Sequence, residues 1–120
     1  DIINKYIKKA SISDRVNLYI GDANKLIGEK LQNEYDLVFI DGDKKEYIDY
    51  YEKSIKYLKQ GGFMLVDNVL WYGNVLGKDE LLDKESKSIK EFSEMVKNDN
   101  RVKQIILPLR DGLMVIRKIN

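Results

Sequence analysis

Two short apolar runs that end in acidic or amide residues constrain the fold of this chain more than any other feature. Residues 37–40 lead into Asp41, and residues 63–66 lead into Asp67 and Asn68. Short continuous apolar runs are typical of strands buried on both faces, and open α/β sheets bind their ligands where such strands end. Three oxygen-bearing side chains at two neighbouring strand ends are the ligand type of a magnesium or calcium site.

The composition limits the chemistry available to the chain. It has 120 residues, 43% of them hydrophobic, which is enough for one domain with a core. The absence of cysteine and histidine excludes disulfides, thiol catalysis, a histidine-based triad and the usual zinc sites. Since 21 basic residues nearly balance 20 acidic ones, no overall field favours nucleic acid or a membrane. No run approaches the roughly 20 apolar residues of a membrane span, and the lack of cysteine is compatible with the cytoplasm.

The spacing of apolar residues predicts an alternation of helices and strands. Helices are predicted at residues 1–10, 23–31, 45–59 and 86–97. Strands are predicted at residues 15–20, 35–40, 63–66, 102–107 and 113–119. The last two strands form an antiparallel hairpin, and the order as a whole predicts an α/β fold with a mostly parallel sheet. The long loop 67–84 follows a strand end, where loops are usually functional.

Three ordered motifs resemble a known family. Residues 35–47 contain the sequence Asp-Gly-Asp-Lys, residues 61–71 contain Asp-Asn and the tryptophan, and residues 105–115 form the closing hairpin. Together they resemble the class I S-adenosylmethionine-dependent O-methyltransferases of the divalent-metal type, which include catechol and caffeoyl-coenzyme A O-methyltransferases. The resemblance covers essentially the whole chain. It implies a Rossmann-like methyltransferase sheet, mostly parallel with an antiparallel C-terminal hairpin.

The resemblance also implies a metal site and a catalytic residue. It implies that Asp41, Asp67 and Asn68 hold the ion, which would be magnesium or else calcium or manganese. Lys44 would be the catalytic base or a charge-stabilising group. Taken singly, an aspartate after a strand is more often a helix cap or turn former, and a lysine beside Lys45 is more often solvated. The combination of the three motifs favours the metal site.

Cofactor and substrate contacts are implied in the same way. Asp22 and Ala23 would contact the adenine of S-adenosylmethionine, and Asp41 would also lie in the cofactor site. Trp71 would form an aromatic wall against the substrate. Asp22 is equally well placed as the N-cap of the helix that follows it, and Trp71 could serve as a loop anchor.

Two segments of the family have no counterpart in this sequence. These are the glycine-rich loop after the first family strand and the acidic residue that ends the second. The chain opens without Met, in a helical pattern. We therefore expect residues 1–120 to be the C-terminal part of a single methyltransferase domain. The first two family strands are missing, and in the family's sheet they lie between the strands predicted at 15–20 and 35–40.

Three functions are compatible with these residues. The leading one is a metal-dependent O-methyltransferase acting on a small molecule with vicinal oxygens, as a cytoplasmic homodimer with no membrane partner. The second keeps the chemistry but methylates a wobble 5-hydroxyuridine of tRNA, whose base also offers adjacent oxygens; a basic patch with exposed aromatics beside the site would favour it. The third is a non-catalytic fragment or interaction module.

Overall fold

The computed structural model of the protein, which describes residues 2–120, is built on a four-stranded sheet. The helices are α1 (Ile2–Lys9), α2 (Ala23–Leu26), α3 (Tyr47–Ser54) and α4 (Lys84–Lys97). The strands are β1 (Tyr35–Ile40), β2 (Leu58–Asp67), β3 (Val102–Leu107) and β4 (Leu113–Lys118). Short 3₁₀ turns lie at Lys44–Glu46, Trp71–Leu76 and Asp79–Leu81.

The sheet is mixed, with the strand order β1-β2-β4-β3. The pair β1–β2 is parallel, while β4 runs antiparallel to both β2 and β3. Three strands therefore point the same way, and β4, the last strand of the C-terminal hairpin, points the other way. This arrangement confirms the predicted α/β fold with its antiparallel hairpin.

One face of the sheet carries the core. Side chains that alternate along β1, β2 and β4 point to this face and are at most 5% exposed; they are Ile40, Met64, Val66, Met114 and Ile116. Helices α3 and α4 cover them with the rings of Tyr47, Tyr51 and Phe92, which are fully buried. Burial of each large apolar side chain contributes about 1.5–3 kcal/mol, so this layer stabilises the strand ends that carry the site.

The opposite face of the sheet is apolar and exposed. The register places Leu37, Phe39, Phe63 and Ile105 on it. Leu37 and Phe39 of β1 are 55% and 57% exposed. Within residues 2–120, β1 is also an edge strand, with β2 as its one neighbour in the sheet.

Three predicted elements differ from the structure. The prediction of a strand at 15–20 is wrong, since no strand forms there. A strand needs a hydrogen-bonded neighbour, and β1 does not pair with this segment. The helix predicted at 23–31 ends at Leu26, since Ile27 is extended and Gly28 has a φ of 95°. The helix predicted at 45–59 ends at Ser54, and its expected last residues already belong to β2.

The pair Gly61–Gly62 therefore lies inside β2 and not before it. Gly61 has a φ of 81°, which favours glycine. A Cβ on Gly62 would come within 3.1 Å of the Asp36 carbonyl oxygen, so glycine allows β1 and β2 to approach at this point. The β1–β2 register is also irregular here, between Tyr35 and Leu37.

Candidate active site

The two predicted strand ends lie side by side. Ile40 of β1 pairs with Val66 of β2 in parallel register, so Asp41 and Asp67 follow at the same edge of the sheet. Parallel strands end at one edge, which is why residues far apart in the sequence meet here. The polar groups of this edge surround one buried amine.

That amine is Lys44, which lies in the 3₁₀ turn directly before α3 and is 8% exposed. Its Nζ donates to Asn68 Oδ1 at 2.8 Å and to Asp41 Oδ1 at 3.3 Å. The Asp41 side chain is about half exposed, so the ion pair reaches from the interior to solvent. A lysine is rarely buried unless it is paired, and here two of the three residues predicted to bind a cation, Asp41 and Asn68, are its partners.

Tyr47 completes this shell, although it is not among the site residues predicted from the sequence. Its hydroxyl accepts from Lys44 Nζ at 2.5 Å and donates to the Asp67 carbonyl oxygen at 2.8 Å. Burial, followed by the charges of Asp41 and Asp67, raises the pKa of Tyr47, so its hydroxyl keeps the proton it donates. The three-residue spacing between Lys44 and Tyr47 is the signal that could have revealed the pair.

Asp67 and Asn68 are fixed by their backbone. Asn68 adopts a left-handed conformation, with φ of 58°, which asparagine tolerates better than most residues. Its N–H donates to Asp67 Oδ1 at 2.8 Å, so one carboxylate oxygen is held and Oδ2 is left as the candidate ligand. Within residues 2–120 no three acidic side chains converge as a metal cluster, and the predicted cation site would consist of two carboxylates and one amide.

The donor set fits a hard divalent cation. Asp41 and Asn68 both direct a side-chain oxygen atom at the Lys44 amine. Carboxylate and amide oxygens are also the ligands that magnesium and calcium prefer.

Two of the three predicted cofactor residues line a cleft beside this cluster. The cleft has a volume of about 380 Å³ and lies between α2, α3 and β1. Ala23 and Asp41 both line it, together with Gly42 and Tyr50. Asp22 accepts the Asn24 N–H at 2.9 Å, which confirms it as the N-cap of α2 and leaves its contact with a cofactor a prediction.

Trp71 lies next to Lys44. Lys44 Nζ is 5.7 Å from the centroid of the Trp71 ring, within the range of a cation–π contact. The ring is partly buried against the core and contacts Tyr72. The structure thus brings Asp41, Lys44 and Trp71 together, and whether Trp71 faces a substrate stays a prediction.

The comparisons with known proteins agree with the predicted family. The profile of a family described as O-methyltransferase matches residues 1–119. A probable caffeoyl-CoA O-methyltransferase 2 from Dictyostelium discoideum is 37% identical over 120 residues, an alignment that covers 97% of this chain and 52% of the relative. A caffeoyl-CoA O-methyltransferase from Populus kitakamiensis is 33% identical over 123 residues, covering 95% and 52%. The chain thus spans about half the length of these relatives.

Solved structures show the same fold. A methyltransferase from Podospora anserina with bound S-adenosylhomocysteine (SAH) superimposes with a TM-score of 0.84 at 29% identity, covering 98% of this chain and 55% of that one. An O-methyltransferase from Bacillus cereus, also in complex with SAH, gives a TM-score of 0.83 at 27% identity, covering 98% and 57%. With its Rossmann-like sheet, its strand-end cluster and a family profile that matches nearly every residue, this chain belongs to the O-methyltransferase family.

Proposed function

We propose that the complete protein transfers a methyl group from S-adenosylmethionine to a small molecule. The acceptor is a hydroxyl of a molecule with vicinal oxygens. The observation that carries the proposal is the buried Lys44, held by Asp41 and Asn68 at the ends of two parallel strands. A buried amine among oxygen donors at the edge of a cleft is suited to act on an acidic hydroxyl. Membership of the O-methyltransferase family supports this chemistry.

We further propose that Asp41, Asp67 and Asn68 hold a divalent cation, with magnesium as the first candidate. When bound, such an ion lowers the pKa of a hydroxyl that contacts it and orients adjacent oxygens. The support from this chain is its donor set and the fixed geometry of Asp67 and Asn68.

We propose that Lys44 Nζ acts in one of two ways: as a neutral amine it would accept the proton of the substrate hydroxyl and become an ammonium, or as an ammonium it would stabilise the negative charge on the substrate oxygen. Tyr47 holds this nitrogen at one side and is itself anchored to the Asp67 carbonyl, so the amine has a defined position. The Trp71 ring lies next to Lys44 Nζ. It would exclude water from the reacting oxygen and pack against an aromatic ring of the substrate. Orientation of this kind is a large part of the rate enhancement that an enzyme can supply.

The cleft beside Asp41 is the proposed place of the cofactor. Its apolar lining suits an adenine ring, and Ala23 leaves room at the start of α2. Both relatives of known structure named above were solved with SAH, the product of methyl transfer from this cofactor.

We also propose that residues 1–120 form the C-terminal part of one methyltransferase domain. The exposed edge of β1 and the apolar side chains of Leu37 and Phe39 are what a sheet presents where further strands and helices pack.

The predicted homodimer stays a prediction that light scattering of the complete protein would test. Helices among the described residues are too short or too polar to cross a membrane. No specific observation favours the tRNA alternative.

The test of the proposed function is methyl transfer by the complete protein. It is incubated with S-adenosylmethionine carrying a labelled methyl group, magnesium and caffeoyl-CoA or catechol as acceptor. Label in the acceptor, attached to oxygen by mass spectrometry, is the expected result. A folded complete protein that binds neither cofactor nor acceptor would instead support the non-catalytic interaction module.

A further inference from the structure

The loop that carries Trp71 is strained where it leaves β2. Trp71 and Tyr72 both have left-handed backbone angles, with φ of 44° and 56°. A bulky residue in this region is strained, and such a conformation persists only where surrounding contacts hold it. The loop therefore depends on support from outside itself.

The turn between β3 and β4 supplies that support. Asp111 in this turn accepts the Tyr72 N–H at its carboxylate oxygen Oδ1, and its backbone carbonyl accepts the Leu70 N–H at 2.9 Å. The next residue, Gly112, has a φ of 83°, and a Cβ there would lie 2.5 Å from Leu70 Cγ. The turn thus contacts the loop directly on both sides of Trp71.

Support at these two amides acts on Trp71 and not on the Tyr72 side chain. The Tyr72 side chain points into solvent, and the residue is 83% exposed. Trp71 instead packs against the core with its ring beside Lys44. Fixing the amides of residues 70 and 72 fixes the direction in which the side chain between them leaves the backbone.

We propose that Asp111 is a positioning residue that holds Trp71 as the aromatic wall beside Lys44. Asp111 acts through the Tyr72 backbone, since its carboxylate takes the N–H that the strained loop presents. The role of the wall toward a substrate rests on the proposed function, whereas the position of Trp71 does not. Asp111 serves there only as a hydrogen-bond acceptor. The side-chain amide oxygen of an asparagine should therefore be able to take its place.

Tryptophan fluorescence tests this position directly, because Trp71 is the single tryptophan of the 120 residues. Asp111→Ala removes the acceptor, and Asp111→Asn keeps an oxygen in its place. The matched control is Asp36→Ala, which removes an exposed carboxylate paired with Lys59 at the far end of β1. We expect the acrylamide quenching constant to rise about twofold or more in Asp111→Ala, and to stay near the wild-type value in Asp111→Asn and in the control.

Far-UV circular dichroism separates release of the loop from unfolding. A folded Asp111→Ala chain with unchanged quenching would overturn the proposal. If that variant does not fold, hydrogen exchange of the Tyr72 amide in the wild-type chain decides: slow exchange is expected, and exchange at the rate of an unstructured peptide would overturn the proposal.

The complete enzyme gives a second readout, with caffeoyl-CoA as the probe acceptor. Asp111→Ala should raise the KM for caffeoyl-CoA about tenfold while the KM for S-adenosylmethionine is unchanged. If Asp111→Ala transfers methyl groups with an unchanged quenching constant and an unchanged KM for caffeoyl-CoA, the proposed role of Asp111 is overturned and the proposed function is not. Absence of transfer by the wild-type enzyme, with the quenching result as expected, would overturn the proposed function and leave the placement of Trp71 by Asp111 standing.

Discussion

The hydroxyl of Tyr47 links the buried lysine to β2, and its removal tests how strongly the site is held together. Tyr47→Phe keeps the ring and its edge-to-face contact with Phe92, at 5.7 Å between centroids. It deletes the hydrogen bond from Lys44 Nζ and the one to the Asp67 carbonyl. A hydrogen bond to a charged group contributes about 1.5–3 kcal/mol and a neutral one about 1 kcal/mol. Because Lys44 keeps two other oxygen partners, the lower end of the first range applies, and the free energy of unfolding should fall by about 2–3 kcal/mol.

The assay is urea unfolding followed by far-UV circular dichroism at pH 7. Tyr72→Phe is the matched control, because Tyr72 is exposed and its change should stay within about 0.5 kcal/mol. Folding raises the pKa of Tyr47, so its neutral hydroxyl stabilises the fold up to about pH 10 and that stability is lost as the pH rises further. The difference between wild type and Tyr47→Phe should therefore narrow above about pH 10. A loss no larger than that of the control would refute the reasoning.

Three further predictions address the ion, the base and the acid stability of the fold. Asp67→Ala, or excess chelator, should remove most methyl transfer by the complete protein while leaving it folded by far-UV circular dichroism, because the carboxylate is a proposed ligand and contributes little to packing; full transfer in chelator would contradict this. Lys44→Ala should lower turnover by about two to four orders of magnitude with little change in cofactor affinity. Turnover of Lys44→Arg should be similarly low, because a guanidinium keeps its proton. Near-normal turnover of Lys44→Arg would mean that only the positive charge is needed. Hydrogen bonds from Arg101 lower the pKa of Asp99 to about 2, so its stabilisation is present above about pH 4 and lost toward pH 2. In urea, Asp99→Asn should cost about 1 kcal/mol at pH 7 and nothing near pH 2, and an equal loss at both pH values would argue against the ion pair.

Local patterns in the sequence were enough to predict β1, the hairpin and α4. The strand predicted at 35–40 coincides with β1, because an apolar run buried on its core face is a local property. Helix α4 begins two residues before the predicted start at Ser86, where Asp83 accepts the Ser86 N–H as N-cap. Its buried residues Ile89, Phe92 and Val96 follow the predicted helical spacing.

Features that depend on contacts between elements could not be predicted in this way. A strand at 15–20 requires a neighbour that the sequence pattern does not reveal. The end of α3 depends on Lys118 of β4, whose Nζ donates to the carbonyl oxygens of Ile55 and Leu58. The partnership of Tyr47 with the β2 strand end is likewise a contact across 20 positions. The sequence could place the site at the strand ends, whereas the internal order of the site required the structure.

The proposed cation site lies beside Lys44, where the ends of β1 and β2 meet. The most direct measurement is anomalous X-ray scattering from crystals of the protein soaked in Mn²⁺. We predict a single strong anomalous peak at this edge of the sheet, with side-chain oxygens of Asp41, Asp67 and Asn68 about 2.0–2.6 Å from the ion. A well-ordered site with no peak there, or with these three side chains directed to separate faces, would contradict the claim.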